Sequence, residues 1–123
     1  MTGRDTVNAI CAALPGAEHS DPWGGGHDCW KVGGKMFAVI GAVNEAVAVK
    51  TEGIETAEML IEIGPARRAA YFHRSWIELS LDAPTDELRH RIEASYRLIR
   101  DKLPRKVQSA LPAPPTTQGA ASQ

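Results

Sequence analysis

The chain has 123 residues, 43% of them hydrophobic and 24% charged, with 14 Lys and Arg against 15 Asp and Glu and a formal net charge of -1. That length carries one domain with a modest core rather than two, and the charge balance excludes a chain that is basic over its whole surface. No apolar run approaches the roughly 20 residues that cross a bilayer, and residues 1–6 lack the apolar region of a secretory signal. No membrane partner is therefore expected, and two cysteines without a dense framework point to a reducing, cytoplasmic location.

In chain order, Thr2 with Asp5 three residues later has the spacing of a capping box. Val7, Ile10, Cys11 and Leu14 then follow helical spacing with one buried face, and Pro15-Gly16 ends the helix. Cys11 reads as a small buried hydrophobe. Residues 17–26 are polar and turn-rich and read as an ordered loop closed by Gly24-Gly25-Gly26. Residues 29–32 and 35–40 form two strands joined at Gly33-Gly34, a strong hairpin signal. Residues 46–50 make a third strand, and the short connections favour an antiparallel meander. A short helix is expected from about Glu55 to Ile63, stopped by Gly64-Pro65. Residues 65–74 are irregular; the fold has room for one additional short strand, with no position assigned to it.

In residues 75–81, Ile77, Leu79 and Leu81 alternate with Trp76, Glu78 and Ser80, the pattern of a strand with one covered face. The longest helix is expected from Thr85 or Asp86 to about Leu103, with Leu88, Ile92, Tyr96, Ile99 and Leu103 as its apolar stripe. Pattern is lost after Pro104, and residues 107–123 read as a disordered Pro/Ala-rich tail behind one domain of residues 1–106. The order helix, three strands, helix, strand, helix is an α+β class with helices covering one face of an antiparallel sheet.

Several segments bring a family into view. They are residues 30–38 (Trp-Lys-Val-Gly-Gly-Lys-Met-Phe-Ala), the strand 47–50, Pro65-Ala66 with Tyr71, residues 76–79, residues 95–99, and Lys102-Leu103-Pro104. In this order they resemble the MmcQ/YjbR-like family of small bacterial proteins over roughly residues 4–106. The resemblance implies a fold like that of secretion chaperones and a DNA-binding label that rests on fold analogy. It implies no enzymatic activity and no catalytic residues.

The best candidate surface is the sheet face left open by the helices. If the strand register permits, Lys31, Lys35, Lys50 and Trp76 gather on or near one side, with Arg74 in the connection before Trp76. An aromatic among cations suits base stacking with phosphate neutralisation. The competing account has Trp76 packed under a loop with lysine stems along its edge. A secondary basic group, Arg97, Arg100, Lys102, Arg105 and Lys106, lies on or after the last helix, interleaved with acids that also fit an ordinary solvated face.

His19, Asp21, His27, Asp28 and Cys29 hold metal-ligating atom types but match no standard spacing, so neither a metal nor any other cofactor is expected. A Cys29–His27 pair lacks an orienting group and an oxyanion hole. The glycine pairs fail the tests for a phosphate loop. The expectation is a small non-enzymatic binding protein whose partner is DNA. The alternative is a protein-interaction or small-ligand module that self-associates and has no nucleic-acid role.

Overall fold

The computed structural model describes residues 2–43 and 45–113. Helix α1 (Gly3–Ala12) starts as its sequence dictates: the Thr2 hydroxyl accepts from the Asp5 amide, and the Asp5 carboxylate accepts from the Thr2 amide. The strands are β1 (Ala17–Ser20), β2 (Asp28–Val32), β3 (Lys35–Ile40), β4 (Ala46–Lys50), β5 (Arg67–Arg68) and β6 (Trp76–Ser80). The remaining helices are α2 (Ile54–Ile63), α3 (Thr85–Asp101) and α4 (Arg105–Ala110). All strands join one antiparallel sheet in the order β1-β2-β3-β4-β6-β5. The expected α+β class and its helix-covered sheet are what the chain adopts.

Three segments differ from the sequence reading. Residues 17–20 are strand rather than loop, because Ala17 to Ser20 pair with Val32 to Cys29 across the sheet edge. Their side chains carry no alternating apolar signal, as befits an exposed edge strand. Arg67–Arg68, read as irregular, is a short strand because it pairs with β6. The expected boundary at residue 106 falls inside α4, and Leu111 beyond it packs against the main core. Residues 114–123 of the expected tail lie outside the described residues.

Trp30, Val32, Ala38, Ile40, Val47, Val49, Ile77 and Leu79 line one sheet face and pack against Val7, Ile10, Leu88, Ile92 and Tyr96 of α1 and α3. This helix-side layer is the hydrophobic core, the dominant favourable term in folding. The register between β2 and β3 shifts at Trp30/Lys31, so that β3 has an extra residue, Phe37, between the partners of that pair. Such a bulge lets two successive residues face one side. Phe37 and Ala38 both enter the core, with Phe37 edge-on to Tyr96 at 5.3 Å between centroids.

The bulge also leaves backbone groups to satisfy. Pairing of β3 with β4 stops at Ala38–Val49, one step before Phe37 and Lys50. Ser95 of α3, fully buried, fills the gap: its hydroxyl donates to the Phe37 carbonyl at 2.7 Å and accepts from the Lys50 amide at 2.9 Å. One helix hydroxyl thus replaces a missing rung of the ladder, as burial of backbone polar groups demands.

The far end of α3 anchors the C-terminal segment. The Tyr96 hydroxyl donates to the Pro15 carbonyl, while Arg100 donates to the Tyr96 hydroxyl at 2.8 Å and to the Pro112 carbonyl. Gly33, in the β2–β3 turn at φ 58°, lies so close to this region that a Cβ there would meet Leu103 Cδ1 at 2.5 Å and Val107 Cγ1 at 3.1 Å. The hairpin tip therefore rests on the α3–α4 junction.

Candidate functional site

That contact decides where the basic residues go. Lys31 and Lys35 flank the β2–β3 turn, and Lys102, Arg105 and Lys106 are close in sequence to Leu103 and Val107, against which the turn packs. Lys50 ends β4 at the same end of the sheet, where the Lys102 charge reaches it. Two groups of cations that are separate in sequence meet at one end of the molecule. Lys35, Lys102, Arg105 and Lys106 are exposed and Lys31 is half-buried. Among the described residues none of the five makes an ion pair. Glu18 stands opposite Lys31 in the register, and Asp101 precedes Lys102, so the acids at this end are fewer than the bases.

Lys50 itself is turned to an internal task. Its ammonium donates to Ser75 Oγ at 2.9 Å, and Ser75 Oγ lies 2.9 Å from His73 Nδ1. The Ser75 amide also donates to that Nδ1, which makes Nδ1 an acceptor and the Ser75 hydroxyl the donor to it. Desolvation, with the Lys102 charge adding to it, holds the Lys50 amine below the usual lysine pKa.

The register places Lys50 directly opposite Trp76, whereas Lys35 stands opposite Val32 of the helix-side core and so does not share the face of Lys50 and Trp76. Trp76 is nevertheless closed to a stacking partner: it is 8% exposed, with the Phe72 ring stacked on it at 4.8 Å and Ala48 and Ala69 packed around it. The connection before β6 folds back over the sheet because the apolar Ala69 and Phe72 gain more by covering the indole than by facing water. Arg100 is likewise removed from the expected surface group. At 5% exposure its guanidinium is spent on Tyr96 and Pro112. Arg97 is half-buried and engaged in an interaction of its own. Arg74 points elsewhere, paired with Glu58 of α2.

The His19-to-Cys29 segment is organised by local hydrogen bonds. Asp21 accepts from the Gly26 and His27 amides, and His27 Nδ1 lies 3.0 Å from the Gly24 carbonyl. Asp28 pairs with Arg4 and with His19. Partial burial raises the Asp28 carboxyl pKa, but hydrogen bonds from His19, Asn8 and Arg4 and the Arg4 charge outweigh it and hold the group below the ordinary aspartate value. Cys29 is fully buried on the outer sheet face, and desolvation raises its thiol pKa against the opposing Ser20 hydrogen bond and Lys31 charge. That is the reverse of an activated thiolate. Burial, helped by the Asp28 charge, pushes the Cys11 thiol far up as well. Among the described residues no group of three His, Cys, Asp or Glu side chains is placed to hold a metal ion, and no helix is long and apolar enough to cross a membrane.

The outer sheet face holds a second feature that composition does not reveal. A cleft of about 730 Å³ has Val39, Ala46, Ala48 and Glu78 in its floor, within the roughly 300–1,000 Å³ of ordinary ligand sites. Its walls are Trp23 and His27 from the β1–β2 loop, residues 41–43 from the β3–β4 turn, and Ala70, Tyr71 and Phe72 from the β5–β6 loop. Trp23, Val43 and Tyr71 are exposed large hydrophobics at its rim, and Tyr71 is held at φ 73°. The sequence carried one signal for it, a tryptophan set in the polar turn Asp21-Pro22-Trp23-Gly24.

Comparison with known proteins agrees with the architecture. The chain is similar to the Deinococcus radiodurans protein DR2400, whose crystal structure holds a DUF419 domain, with 21% identity and a TM-score of 0.77 over 89% of this chain and 87% of that one. At that identity the likeness is one of fold. No curated protein shows significant similarity to the chain. The YjbR family model matches residues 12–98, from the end of α1 through β6 and most of α3. The chain belongs to the YjbR family.

Proposed function

We propose that this chain is a non-enzymatic binding protein that holds the phosphate backbone of DNA at its basic end. The observation that carries the reading is the meeting of Lys31 and Lys35 with Lys102, Arg105 and Lys106 around the hairpin tip, none of them in an ion pair among the described residues. Long cationic side chains on one pole of a chain with net charge -1 suit counterion-releasing contact with phosphates and carry no base readout. With Trp76 covered, stacking has no part in this mode, and duplex is preferred to unstacked single strands.

The test is a salt titration of binding to a short DNA duplex. Each phosphate contact contributes about -0.9 to the slope of log K against log salt, so five cations support a slope of up to about -4.5. A Lys35→Ala, Arg105→Ala, Lys106→Ala triple variant is expected to weaken that slope by up to about 2.7. A slope near zero, or one the triple variant leaves unchanged, overturns the reading.

A further inference from the structure

We propose that the outer-face cleft is a binding site for a small aromatic ligand carrying a cationic amine. This site lies on the open sheet face and is independent of the basic end. Aromatic walls rise on opposite sides, Trp23 beside His27 and Tyr71 beside Phe72. The floor between them is cut down to methyl groups by Ala46 and Ala48, which leaves depth for a flat ring. Aromatic side chains around an apolar floor favour an aromatic guest over a branched aliphatic one.

Charge selects the rest of the ligand. Glu78 is the one carboxylate side chain among the described residues that line the cleft. Its Oε1 faces Arg67 of β5 at 3.3 Å, but that guanidinium is well exposed, a weak pair in solvent. No described group donates to its Oε2. A carboxylate oxygen without a donor, set in an apolar cleft, is complemented by an ammonium or amidinium, and aromatic faces nearby add cation–π attraction. An anionic ligand would meet Glu78 as a like charge, so the pocket discriminates by sign as well as by shape.

The experiment titrates the isotope-labelled full chain with tryptamine, indole and indole-3-acetate and follows backbone amide resonances. Tryptamine is expected to shift Ala46, Ala48, Phe72 and Glu78, and indole to shift the same amides more weakly. Indole-3-acetate is expected to bind about tenfold less tightly than tryptamine, which corresponds to one charge-assisted hydrogen bond. Glu78→Gln is expected to remove the preference for tryptamine over indole while leaving indole binding in place. The proposal is overturned if none of the probes perturbs these amides at millimolar concentration, if they perturb another surface instead, or if amine and acid bind alike. The comparison of three probes on the unmodified chain decides the charge question even if Glu78→Gln proves unstable.

Discussion

Removing the Ser95 hydroxyl tests the most specific tertiary device in this fold. Ser95→Ala deprives two buried backbone groups of their partner, the Lys50 amide and the Phe37 carbonyl, at a point where the β3–β4 ladder has already been interrupted by the bulge. A buried donor or acceptor left unpaired costs about 1–3 kcal/mol. Some closure of the strands offsets part of two such losses, so the expected destabilisation is about 2–4 kcal/mol. Against the roughly 5–15 kcal/mol that holds a domain together, that is a large share. At about 4 °C per kcal/mol for a chain of this size, Tm falls by about 8–16 °C. Urea denaturation followed by tryptophan fluorescence measures the free energy, and hydrogen exchange of the Lys50 amide reports the site itself. The Lys50 amide should lose protection selectively, while Arg89→Ala, an exposed change on the same helix, stays within about 0.5 kcal/mol of the parent. A Ser95→Ala protein as stable as the parent, with its Lys50 amide still protected, would falsify the inserted-hydroxyl account.

Three further outcomes are expected. The Lys50 amine should titrate below the other lysines in side-chain NMR, and Lys102→Gln should move it back up; its folded pKa lies under the unfolded one, so stability from this group is reduced at neutral pH and recovers as pH rises through that window. An unshifted Lys50 would mean its ammonium is solvated rather than held at Ser75. Asp28 has the opposite sign: its depressed folded pKa contributes stability that is complete above the ordinary aspartate value, about 3.9, and is lost as pH falls through the folded value. Asp28→Asn should therefore flatten the acid limb of the stability curve, and an unchanged limb counts against the Arg4–His19 network. In the hairpin, Gly33→Ala and Gly34→Ala both place a side chain at positive φ, but a Cβ at Gly33 would also strike Leu103, whereas nothing lies within 4 Å of one at Gly34. Both variants should lose about 1 kcal/mol to backbone strain, with Gly33→Ala losing at least about 1 kcal/mol more. Equal losses in chemical denaturation would show that the hairpin tip does not rest on the α3–α4 junction.

How far the fold was legible varied with the source of each element's signal. Helices α1 and α3 and strand β6 announce themselves through local periodicity, because each buries one face and must space its apolar residues accordingly. By contrast, β2 and β3 are marked by the Gly33-Gly34 turn between them, and β3 and β4, buried on both faces, carry no alternation. Strands β1 and β5 show no periodicity either: Glu18, His19, Arg67 and Arg68 are exposed edge residues, extended because a neighbouring strand offers hydrogen-bond partners. Helix α4 bears too few apolar positions to show a stripe, and its place comes from Leu103, Val107 and the turn glycine they meet.

The candidate site divides in the same way. Alternation set which residues of one strand share a face, and only the β4–β6 register brings Lys50 opposite Trp76. Alternation had no means of showing that Phe72 folds back over that indole, or that Arg100 turns inward to Tyr96, since both depend on contacts between residues from different elements. Nor does any local pattern bring Lys31 and Lys35 to Lys102, Arg105 and Lys106, or raise three loops around an alanine floor. Periodicity records what each segment does against its nearest layer. Convergence of side chains from distant segments is a property of how the layers are assembled, and in this protein that assembly determines both the basic end and the cleft.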